Sequence, residues 1–81
     1  MNIQVKLFAV AKQLVGSETA TVELPAESTV ADLRVALARD YPALLPTLSS
    51  VVFAVNAEYA NDQTRLRSTD EIACIPPVSG G

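Results

Sequence analysis

The sequence predicts an α+β fold: a mixed sheet with one main helix packed on one face. Three observations predict it. The chain opens on NIQVKL, where apolar and polar residues alternate. Its middle, STVADLRVALARDYP, repeats apolar residues at helical spacing, and a last short apolar run, EIACIPP, is halted by two prolines. Alternation with a period of two marks a half-buried strand, and a period of 3.6 marks an amphipathic helix.

Taken in order, Ile3, Val5 and Leu7 form the buried face of the first strand, with Asn2, Gln4 and Lys6 opposite. Phe8 falls on the polar side, an anomaly for a purely solvated face. VAKQLVG reads as a short helical turn ended by Gly16, the only glycine before the final pair. TATVELP is a second short strand closed by Pro25. Thr29, followed three residues later by Asp32, forms a capping box with Asp in the Glu/Gln position. Val30, Leu33, Leu37 and Tyr41 then recur at helical spacing, Asp32, Arg39 and Asp40 stay wet, and Pro42 ends the helix. ALLPTLSS reads as a loop with room for one helical turn. VVFAVNAEYA reads as two extended pieces about a turn at Asn56-Ala57, where Asn tolerates the left-handed conformation. NDQTRLRSTD is a polar connection, and EIACIPP is the final strand. The first and last strands are expected side by side and parallel at the centre of the sheet. Strand, strand, helix, strand with a short extension, strand is the ββαββ order of a ubiquitin-like β-grasp.

The 81 residues suit one domain, expected over 1-77 with a flexible tail at 78-81. A net charge of −3, with the six Lys and Arg residues scattered, argues against nucleic acid as a partner. With no histidine and Cys74 as the sole cysteine, neither an internal disulfide nor a His/Cys metal cluster can form. No basic region followed by a long apolar run is present. No metal, bound cofactor or membrane contact is therefore expected, and the location expected is cytoplasmic.

Two of the three glycines are Gly80 and Gly81, behind Pro76-Pro77. The prolines fix the exit direction, and Val78-Ser79-Gly80-Gly81 can then extend about 13 Å at roughly 3.3 Å per residue. Glycine lacks a Cβ, so its backbone can thread a narrow channel and leave the carboxylate open to attack from any side. A carboxylate is a poor electrophile until activated; adenylation would make Gly81 a mixed anhydride open to a thiol, persulfide or amine. The residues thus point to a tail delivered into another protein's active site.

VKLFAVAKQLVG, STVADLRVAL, VVFAVNAEYA and DEIACIPPVSGG together resemble the small subunit of molybdopterin synthase, the MoaD-type sulfur carriers of the ubiquitin-like MoaD/ThiS family. The first and last of these stretches are the most specific. The resemblance implies that an ubiquitin-activating-type enzyme, using ATP and magnesium, adenylates Gly81 and that a sulfur-donor protein supplies the sulfur of a C-terminal thiocarboxylate. It implies insertion of the tail into the large catalytic subunit, within a heterotetramer, and sulfur transfer to cyclic pyranopterin monophosphate to build the molybdopterin dithiolene. Gly81 would then be the reacting residue and Gly80 the source of clearance, while the chain alone binds no cofactor and catalyses nothing. Asn56-Ala57 stands where the family often has Asn-Gly, and Ser68-Thr69 where it often has a glycine-containing turn. Two alternatives share the same activation: a protein modifier joined to lysines through Gly81, and a thiamine-pathway sulfur carrier.

Other candidates were weighed on parity. Phe8 and Ile75 should share a face beside the tail exit, a docking patch with Lys12, Pro76 and Pro77 as rim contacts and Val78 and Ser79 in the inserted tail. Cys74 could carry a persulfide, but its parity with Ile72 places it in the core. Asp70 and Glu71 point to opposite faces and do not converge as an acid-base pair. Arg65 and Arg67 share a face that could meet an acidic surface.

Overall fold

The computed structural model describes residues 1–77. Five strands form one sheet in the order β2-β1-β5-β3-β4. The first, β1 (Asn2–Leu7), buries every second residue, as its alternation predicts. Helix α1 (Ala9–Val15) follows directly and ends at Gly16, whose φ of 76° and N–H donation to the Lys12 carbonyl close the last turn. Strand β2 (Thr19–Glu23) pairs antiparallel with β1, with Val5 opposite Ala20 and Ile3 opposite Val22.

The main helix, α2 (Val30–Asp40), begins in the predicted capping box. The Thr29 hydroxyl accepts from the Asp32 N–H at 3.4 Å, and Asp32 Oδ2 accepts from the Thr29 N–H at 2.9 Å. Val30, Leu33 and Leu37 are fully buried on the sheet, while Tyr41 lies at the helix C-terminus and is only partly buried. The next stretch is more helical than its sequence suggests. A 3-10 turn at Pro42–Leu44 runs into α3 (Leu45–Leu48), because Leu44 and Leu48 both reach the core from successive turns.

Strands β3 (Val52–Val55) and β4 (Glu58–Ala60) form a hairpin about Asn56-Ala57, both at positive φ (52° and 67°). Two consecutive left-handed residues give the turn whose twist matches the flanking strands. Strand β5 (Ile72–Ile75) lies in the middle, parallel to β1 and antiparallel to β3. The parallel pairing of first and last strands is thus as expected, with β5 at the centre and β1 beside it. Among the described residues, no helix is long and apolar enough to cross a membrane.

All the long helical packing falls on one face. Ile3, Val5, Leu7, Phe53, Ile72 and Cys74 meet α2 there in a single core. Leu66 joins that core from within the segment read as wholly polar, held where the Leu66 N–H donates to the Ser28 carbonyl at 2.8 Å. Among the described residues, the opposite face carries no helix.

Candidate functional site

The uncovered face is built by residues of even parity on β1 and odd parity on β5. Lys6 stands opposite Thr19 on one side and Ala73 on the other; Ala73 faces Ala54, and Ala54 faces Tyr59. The next row toward the end of β5 brings Val52 against Ile75. Phe8 continues the extended backbone of β1 (φ −127°, ψ 155°) before the chain turns sharply at Ala9 (φ 51°) into α1. Phe8 and Ile75 consequently line one shallow hollow with Ala54, Ala57, Tyr59 and Ala73. Phe8 is 47% exposed, Val52 42% and Tyr59 81%. A contiguous exposed apolar surface of this kind tends to mark an interface.

Lys12 borders the patch: it lines a second hollow together with Phe8, Lys6 and Thr19, and its ammonium lies 3.3 Å from Glu18 Oε1. The two prolines part company. Pro76 is buried and Pro77 exposed. The expectation that Pro76 supplies rim surface is therefore corrected, since it has little surface to offer, whereas Pro77 is exposed just beyond β5. Val78, Ser79, Gly80 and Gly81 lie outside the described residues, as does the expected tail at 78-81.

The remaining candidates are placed as follows. Cys74 is wholly buried between β1 and β3, and burial pushes its thiol up to about 11 against an opposing pull from Arg34. Burial and the raised pKa both disfavour the thiolate that a nucleophile or sulfur carrier would need. Asp70 and Glu71 do not converge. Asp70 instead accepts from Asn56 Nδ2 at 3.0 Å and from the Arg67 N–H at 2.8 Å, while the Glu71 N–H donates to Asn56 Oδ1 at 2.9 Å. Together these bonds clamp the β3–β4 turn onto the start of β5, a role that residue type alone did not reveal. Arg65 faces Glu27 at 3.6 Å, both exposed, which is worth little.

Arg34 was missed by the sequence reading. Its Nε bonds Asp62 Oδ1 at 2.9 Å, its Nη1 donates to the Leu48 carbonyl at 2.7 Å, and its guanidinium lies 4.9 Å from the centre of the Phe53 ring. It ties α2 to α3 and to the loop before β5. Among the described residues no group of three or more His, Cys, Asp or Glu side chains could hold a metal ion. The face presents an apolar patch at the end of β5.

A five-stranded mixed sheet in the order β2-β1-β5-β3-β4, with its main helix packed across one face, is the ubiquitin-like β-grasp class of domain. The chain belongs to the ThiS family, which matches residues 5–81. It is 43% identical to the molybdopterin synthase sulfur carrier subunit of Caenorhabditis briggsae, covering 100% of this chain and 99% of that one. Among solved structures it is similar to SAMP1, small archaeal modifier protein 1, of Haloferax volcanii, with TM-score 0.86 and 31% identity over 100% of both chains. It is also similar to a chain in the protein-protein complex of subunits 1 and 2 of the molybdopterin-converting factor from Helicobacter pylori, with TM-score 0.70 and 26% identity over 100% of both chains.

Proposed function

We propose that this chain is the sulfur-carrier subunit of molybdopterin synthase. The observation that carries the reading is positional. The exposed Phe8, Val52 and Tyr59, with the half-buried Ile75, form a patch beside the strand that leads through Pro77 to Gly80-Gly81. A partner that covers the patch therefore meets the chain where it leaves β5. Full-length similarity to a sulfur carrier subunit of that enzyme supports the assignment.

On this reading the Gly81 carboxylate attacks the α-phosphate of ATP in an ubiquitin-activating-type enzyme, releasing pyrophosphate. The outer sulfur of a donor protein's persulfide then displaces AMP to give an acyl disulfide, and a second thiol attacks the donor's sulfur, forming a disulfide with it and releasing the C-terminal thiocarboxylate. The large subunit receives the tail, with Phe8, Lys12, Ile75 and Pro77 docked outside and Val78-Ser79 inside, and the sulfur passes to cyclic pyranopterin monophosphate. Acid, base and phosphate-binding groups come from the partners: this chain has no histidine, and its one cysteine is buried. Such a carrier binds no cofactor of its own and works in the cytoplasm.

The test is to incubate the chain with the activating enzyme, ATP, magnesium and a sulfur donor, and to weigh the intact protein. The expected product is heavier by the exchange of one oxygen for sulfur, and with the large subunit it converts the pyranopterin. A variant with one uncleaved residue appended after Gly81 should be inert; normal sulfur delivery by that variant overturns the reading. A second reading, a modifier conjugated to lysines, is favoured by the likeness to small archaeal modifier protein 1 and would give a ladder of lysine conjugates instead.

A further inference from the structure

The two edges of the sheet are finished differently. Strand β4 is three residues long, too short to template much pairing. Strand β2 is five residues of TATVE, rich in strand-forming Thr and Val, with no proline and Glu23 as its single charge. A free edge of that composition invites a second strand. The residue that presents its backbone groups outward at the middle of this edge is Thr21, and both groups are already taken. The Thr21 N–H donates to the Tyr41 hydroxyl oxygen at 3.0 Å, and the same hydroxyl donates to the Thr21 carbonyl at 3.2 Å. One end of the strand is also occupied, where the Thr19 N–H donates to Ser17 Oγ at 3.3 Å.

We propose that the outer edge of β2 is a latent pairing surface for a second copy of this chain, and that the Tyr41 hydroxyl keeps it shut. The edge is self-complementary. A two-fold axis through Thr21 would let each Thr21 N–H donate to the other chain's Thr21 carbonyl, the closely bonded pair of an antiparallel ladder. That register sets Ala20 against Val22 and Thr19 against Glu23, so no like charges stand opposite and the Thr21 side chains meet as a favourable pair. The single hydroxyl satisfies donor and acceptor together, as an incoming strand would. Tyr41 is delivered to the spot by α2: it caps the helix, its N–H donating to the Leu37 carbonyl at 2.7 Å, and its ring packs partly against the core. The helix terminus thus serves as a stopper for the sheet. The free protein stays single on this edge, leaving the bare face for its partners.

The test is sedimentation and light scattering on the full chain from micromolar to millimolar concentration. Tyr41→Phe, which keeps the ring, should form a concentration-dependent dimer, and its Thr21 amide should exchange about tenfold faster in dilute solution, the factor one hydrogen bond is worth. Adding Thr21→Pro, which deletes the edge donor, should return the variant to monomer. Tyr41→Ala, which also removes the ring, should dimerise at least as strongly. Monomeric behaviour of both Tyr41 variants, or dimers that survive Thr21→Pro, overturns the proposal. Dimerisation by Tyr41→Ala alone would assign the guarding to the ring and overturn the role of the hydroxyl.

Discussion

On β5, Cys74 and Ile75 are neighbours in sequence and opposites in circumstance. Cys74 lies at the centre of the helix-covered face with no exposed surface, while Ile75 turns to the bare face and shares a hollow with Phe8 and Tyr59. The same division runs along β1, where Leu7 is core and Lys6 and Phe8 are not. A step of one residue changes what a side chain is for: packing on one face, recognition on the other. Substitutions on the covered face should therefore cost stability, and those on the bare face should cost binding, with little crossover.

The largest effect expected is on the covered face. Phe53→Ala removes a fully buried ring and the surface on which Arg34 rests, and should destabilise the domain by about 3–5 kcal/mol in chemical denaturation. Mere loss of partner affinity, with stability kept, would break the comparison. Next comes thiol reactivity. With its pKa raised from an ordinary 9.0 to about 11, Cys74 in the native state should be alkylated at pH 8 at least roughly a hundredfold more slowly than in denaturant. The sign of the accompanying stability effect follows from the same shift. The unfolded thiol loses its proton first, so the contribution of the buried neutral thiol is intact below about pH 9 and is lost as pH rises toward 11.

Phe8→Ala belongs to the bare face and should weaken association with the large subunit by about tenfold, or roughly 1.4 kcal/mol, while the melting temperature holds. Unchanged affinity would remove Phe8 from the docking surface. The smallest effect sharpens the boundary between the faces. Ala57 lines the bare-face hollow yet carries a φ of 67°, a conformation that costs a residue with a Cβ about 1 kcal/mol. Ala57→Gly should return about that amount, raising Tm by about 4–8 °C for a domain of this size. A fall in Tm would show that the turn is not strained.

Local patterns made much of this legible. Alternation placed Ile3, Val5 and Leu7 in the core, the Thr29–Asp32 spacing placed the start of α2, and parity alone put Phe8 with Ile75 and Cys74 with Ile72. Most of the parts that escaped are products of contacts between distant segments. Leu66 is a single apolar residue between two arginines, so no period could mark it as core. Nothing near Tyr41 in sequence points to Thr21, and nothing near Asn56 points to Asp70 and Glu71. Pro76 was read as a stop signal, which it is, and it is also buried. The chemistry assigned to the tail came from residue type and resemblance, since a backbone terminus leaves no hydrophobic period to read.

The central place of β5 has a consequence for biosynthesis. The strand that joins β1 to β3 is the last to be translated, so a nascent chain has two disconnected hairpin-like fragments until Ile75 has been made. Its key pairing, Val5 with Ile72, spans nearly the whole polypeptide and closes a long loop before any reward arrives. A chain cut short before β5 therefore keeps only the β1–β2 and β3–β4 pairings, with no strand to join them into one sheet.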